Sequence, residues 1–103
     1  MKYSVQNLVY NMVTDTEKTA VMFRKERDGQ ILAVFPYLSW SHNYEVTCYA
    51  HLGQHSGCVW EYVIQDTKPA MPTEFKALYD ELTSIGYNLR VLLKANHNKM
   101  YQL

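Results

Sequence analysis

With 103 residues, 48% of them hydrophobic and 14% aromatic, the chain has the size and apolar content of one globular domain rather than of a disordered segment. Ten Lys and Arg balance ten Asp and Glu. No global charge draws the chain to nucleic acid or an acidic membrane, and no apolar run is long enough to span a bilayer.

The first stretch, MKYSVQNLVYNMVT, is interrupted by Gln6, Asn7 and Asn11, and no small-residue cleavage site follows. It is read as part of the protein rather than as a signal peptide, with residues 3–13 a candidate strand and a cytoplasm the expected location. Cys48 and Cys58 are too few for a disulfide scaffold and are expected as separate thiols in a reducing compartment.

The first clear element is a hairpin. Residues 19–27 and 30–35 flank Asp28-Gly29, a pair suited to the positive φ angles of a two-residue turn. Such a turn sets Lys25 opposite Leu32, Phe23 opposite Val34 and Val21 opposite Pro36, and makes that face the better core candidate. Pro36 is expected to end the strand, and residues 36–43 read as a loop. Residues 44–51 alternate, with Tyr44, Val46, Cys48 and Ala50 inward and Glu45, Thr47, Tyr49 and His51 outward. A glycine-bearing turn over 52–57 leads to a return strand over 58–65, with Cys58, Trp60, Tyr62 and Ile64 on its apolar side.

After a loop containing Pro69 and Pro72, residues 73–85 carry the strongest helical signal. Phe75, Leu78, Tyr79, Leu82 and Ile85 form one stripe, Pro72 and Glu74 suit its start, and Gly86 suits a left-handed stop. Residues 88–95 return to strand alternation, and residues 96–103 form a polar tail expected to fray. The order hairpin, hairpin, helix, strand predicts a single α+β domain over 1–103 with its core in 18–95. Its expected architecture is an antiparallel or mixed sheet of four to six strands, one helix on one face, and a partly polar second face.

Cys48, His51, His55 and Cys58 have the spacing C-x2-H-x3-H-x2-C, which invites zinc. A helix would align all four, but Gly53, Gly57 and the β-branched neighbours oppose one, and on a hairpin the odd step from Cys48 to His51 points them to opposite faces. Zinc is therefore disfavoured, the cysteines are read as small buried hydrophobes, and no cofactor is expected. The same turn suits a small anion or nucleotide better. Its glycines allow close backbone approach, His51, Gln54, His55 and Ser56 supply donors, and Tyr49, Trp60 or Tyr62 offers a stacking face. The competing reading is a plain structural turn.

Nucleophilic chemistry has little support. Ser56 sits beside His55 without a G-x-S-x-G elbow, and Cys58 near His55 fits a packed hydrophobe better. Glu45 and Glu61 read as a solvated pair. The basic groups Lys18, Arg24, Lys25, Arg27 and Arg90, Lys94, His97, Lys99 are interrupted by acids or fit solubility at strand edges, so nucleic acid is disfavoured. Nine tyrosines and two tryptophans favour a binding surface, and Trp40 is the residue most readily given to a partner, its alternative being a loop anchor.

Three stretches together carry a family likeness: Val21-Met22-Phe23-Arg24-Lys25 before Asp28-Gly29, His51-Leu52-Gly53-Gln54-His55, and Thr67-Lys68-Pro69-Ala70 running to Ser84-Ile85-Gly86-Tyr87-Asn88-Leu89-Arg90-Val91. Over residues 18–93 the chain resembles a family of small uncharacterised proteins encoded by phages and conjugative elements of gut Bacteroides-type bacteria. The resemblance implies an accessory protein of a mobile element in a bacterial host cytoplasm and supplies no catalytic residue. The expected function is a non-catalytic binding protein that sequesters or blocks a host factor, either a defence protein or a small signalling nucleotide. Its expected contacts are Trp40, Tyr49, His51, Gln54, His55, Ser56 and Trp60. The alternatives are a small hydrolase or metal-dependent enzyme using His51 and His55, and a structural module that dimerises through residues 88–95.

Overall fold

The computed structural model describes residues 18–40, 45–50 and 54–95. The candidate strand at 3–13 and the tail at 96–103 lie outside them. The chain forms β1 (Thr19–Lys25), β2 (Ile31–Ser39), β3 (Glu45–Ala50), β4 (Gln54–Val59), α1 (Trp60–Asp66), β5 (Lys68–Pro69), α2 (Pro72–Ser84) and β6 (Leu89–Val91). This is the expected α+β class, with two helices rather than one among the described residues.

β4, β3, β2 and β1 make an antiparallel meander. The outer edge of β1 is divided between two later strands. β6 runs parallel to Thr19–Val21, and β5 runs antiparallel to Arg24 and Lys25. Backbone bonds from Leu92 to Val21 (2.8 Å) and from Ala70 to Phe23 (3.0 Å) show both attached along that edge.

The first hairpin turns one residue wider than expected. Glu26 N–H donates to Gln30 O, Gly29 N–H donates to Glu26 O, both at 2.8 Å, and Gly29 takes φ 92°. This is a turn closed by a left-handed glycine bulge, and the extra residue shifts the register to Lys25↔Ile31, Phe23↔Ala33 and Met22↔Val34. A one-residue slip exchanges the faces of one strand relative to the other. Val21 and Phe23 therefore share a side with Ala33 and Phe35, not with Leu32, Val34 and Pro36 as expected.

β2 also continues through Pro36. The register shifts between Phe35 and Ser39, and the buried proline falls in that irregularity, where its missing N–H breaks no ladder bond.

The largest departure follows β4. The return strand starts at Gln54 and stops at Val59, and residues expected to extend it coil into α1. Trp60 and Val63, one turn apart, are its buried residues, whereas Tyr62 is 64% exposed. Arg24 secures the helix end, donating from Nε to Thr67 Oγ1 and from Nη2 to Thr67 O, each at 2.8 Å.

The sheet is consequently covered on both sides. On one, Val21, Phe23, Ala33, Phe35 and Tyr49 pack under Leu78 and Leu82 of α2. Phe75 stacks on Phe23 with ring centres 4.3 Å apart. Ile85, expected in the buried stripe, lies past the last turn of α2 and is exposed. On the other side, Met22, Val34, Val46 and Cys48 pack under Trp60 and Val63 of α1. The expectation of one partly polar open face does not hold, because α1 supplies the missing cover.

Cys48 and Cys58 form a disulfide between β3 and β4, so the expectation of separate thiols is also corrected. They are diagonal neighbours in the register, Cys48 facing Ser56 and Cys58 facing Val46, and both point to the α1 side. Non-reducing peptide mapping should recover them as one linked pair. With a sequence separation of 10, reduction should cost about 2–3 kcal/mol, read as a lower melting temperature in reductant.

Candidate functional site

The described members of the expected contact set fall on both faces of the sheet. His55 is the cross-strand partner of Tyr49, and their rings meet edge to face at 4.8 Å on the α2 side. Tyr49 is not the outward residue expected. It is 2% exposed, and its hydroxyl donates to Glu81 Oε2 of α2 at 2.5 Å.

Trp40 belongs to the same side. Its backbone N–H donates to Glu45 O at 3.1 Å, and its indole lies over the backbone of Gly57, two residues along the strand from His55. A Cβ at Gly57 would overlap Trp40 Cδ1 and stand 2.6 Å from Cγ. Trp40 is thus a packed residue with an exposed outer face, 47% accessible. Gly57→Ala should push the indole away, shifting Trp40 emission to the red while Trp60 emission holds. Because the indole has solvent to move into, the expected stability loss is only about 1 kcal/mol.

Ser56 and Trp60 lie elsewhere. Ser56 pairs with Cys48 and alternates to the α1 side, and Trp60 is buried in the cluster under α1. Gln54 opens β4, so it and His55, Ser56 and Gly57 are strand residues rather than a turn. His51 lies outside the described residues. Among the described members of the Cys/His set, the cysteines bond each other on the α1 side while His55 points to the other.

The structure adds Tyr87, which the expected set lacks. α2 ends in a Schellman motif: Gly86 takes φ 116° and donates to Thr83 O, and Tyr87 N–H donates to Leu82 O, both at 3.1 Å. That cap delivers the Tyr87 ring onto Phe35, stacked at 5.1 Å, and brings its hydroxyl 2.7 Å from His55 Nε2. Burial pushes the Tyr87 phenol above its ordinary pKa, so it stays neutral at physiological pH. The direction of the His55–Tyr87 hydrogen bond follows the imidazole tautomer. The sequence signal for Tyr87 was the stop glycine before it.

The result is a surface beyond the end of α2 made by His55, Tyr87 and Trp40, braced below by Tyr49 and Phe35. The basic residues of the first hairpin take other roles. Lys25 binds Glu74 at 2.6 Å, Arg27 binds Asp66 at 3.2 Å, and Arg24 is buried. Comparison with protein-family models, curated proteins and solved structures finds no match to this chain.

Proposed function

We propose that this chain is a non-catalytic binding protein of a phage or mobile element, and that it blocks a host protein by covering it with the His55–Tyr87–Trp40 surface. The observation that carries this reading is the exposed His55–Tyr87 hydrogen bond at 2.7 Å beside a half-exposed tryptophan. Aromatic residues with polar tips are the side chains that protein interfaces enrich, since they bury large area at little entropic cost. These three are held by a β-ladder, a helix cap and a backbone contact, so little ordering has to occur on binding. The mobile-element context comes from the family resemblance.

The test is co-purification from the native host under mild conditions, with partners identified by mass spectrometry. The wild-type chain should retain a discrete host protein that the Trp40→Ala/His55→Ala variant releases while its circular dichroism is unchanged. A partner held equally by both proteins would reject this surface, and release of nucleotide in place of protein would move the reading to the small-ligand class.

A further inference from the structure

The opposite face carries a separate cleft of about 320 Å³ between α1 and the segment following β6. Met22, Trp60, Ile64 and Leu93 form its apolar walls, and Arg24 and Lys94 supply its polar groups. The volume lies at the lower end of small-molecule sites, roughly 300–1,000 Å³.

Arg24 is the unusual lining residue, since it is only 7% exposed. Thr67 occupies the Nε side of its fork. The Nη1 end has no hydrogen-bond partner among the described residues, and their ion pairs are Lys25–Glu74, Arg27–Asp66 and Lys76–Asp80. An arginine keeps its charge even when desolvation lowers its pKa, as burial does here. A buried cation without a counter-charge is costly, and an anion delivered to the open end of the fork relieves that cost. Lys94 has no ion-pair partner among the described residues either, so the lining carries positive charge and no negative charge. A larger cleft of about 420 Å³ near the first hairpin differs in this respect. Its Arg27 and Asp66 already pair with each other, and its Lys25 pairs with Glu74.

We propose that the Arg24 cleft binds a small organic anion, a phosphate monoester or carboxylate on an apolar or aromatic body. The oxyanion meets Nη1 of Arg24, Lys94 closes the mouth, and the body lies against Trp60 and Ile64. This site is independent of the His55–Tyr87–Trp40 surface, because the sheet separates them.

Titration of the full chain with adenosine monophosphate, inorganic phosphate and phenylpropionate, followed by calorimetry and by the Arg24 and Trp60 side-chain NH signals, tests the proposal. At least one organic probe should bind at one site and shift both signals. Preference for the nucleotide assigns a phosphate ester, and preference for phenylpropionate assigns a carboxylate. Lys94→Glu should weaken binding by about tenfold or more without changing the melting temperature. Arg24→Gln should abolish binding, and if that variant does not fold, Lys94→Glu decides alone. Trp40→Ala/His55→Ala should bind as the wild type does, which separates this result from that of the partner surface. The proposal is overturned if neither organic probe shifts the two signals at millimolar concentration, or if Lys94→Glu binds as tightly as the wild type.

Discussion

Val63→Asp should unfold the domain, whereas Tyr62→Asp beside it should be nearly silent. Val63 is 2% exposed and packed among Met22, Val34, Val46 and Trp60 in the cluster under α1. Burying a carboxylate among these apolar side chains should cost about 3 kcal/mol or more, a large part of the roughly 5–15 kcal/mol available to a domain. Tyr62 is 64% exposed, so aspartate there should change stability by about 0.5 kcal/mol or less. The pair of variants discriminates between two local structures. A strand through these residues would bury Tyr62 and expose Val63, and the order of the two effects would reverse. Urea unfolding of both proteins, compared by midpoint and slope, reads the difference.

Phe35→Ala should cost about 3–5 kcal/mol, the range for removing a fully buried aromatic ring. Phe35 is inaccessible, lies in the middle of the cluster under α2, and supports Tyr87 by stacking. Its loss should therefore reach the surface as well as the core. Tyr87 loses its floor, the His55–Tyr87 hydrogen bond loosens, and the His55 ring signals should move in the NMR spectrum. Leu38→Ala, at a 43% exposed position of the same strand, should leave both stability and those signals close to wild type. A Phe35→Ala variant with unchanged His55 signals would show that Tyr87 is positioned by its helix cap alone.

These two sites also mark where the sequence was informative. The apolar stripe of α2, its proline start and its glycine stop were legible because helical period and end signals agreed. The run from Trp60 to Gln65 was not, because Trp60, Tyr62 and Ile64 satisfy strand alternation while Trp60 and Val63 satisfy a helical turn. So short an apolar run fits either period, and packing under Met22 and Val34 decided it. The Asp28-Gly29 turn was placed correctly, but its local residues do not distinguish a two-residue turn from one with a bulge, and that single residue exchanged faces across β1 and β2. The candidate site was legible in part for the same reason. His55 and Trp40 lie on one side, Trp60 and Ser56 lie on the other, and Tyr87 is joined to His55 only by tertiary structure.

The placement of both covering helices after the meander has a consequence for synthesis. Residues through Val59 reach the ribosome exit before either helix is complete, so the four-stranded sheet emerges ahead of the two helices that cover its apolar faces. α1 follows at once, but Leu78 and Leu82 arrive later still, and β6 reaches the edge of β1 from some 70 residues downstream in the chain. The second face therefore stays without its helix until α2 has emerged. Its risk of aggregation is concentrated in that interval, and conditions that slow translation between Val59 and Leu89 should lower its soluble yield more than equal slowing earlier in the chain.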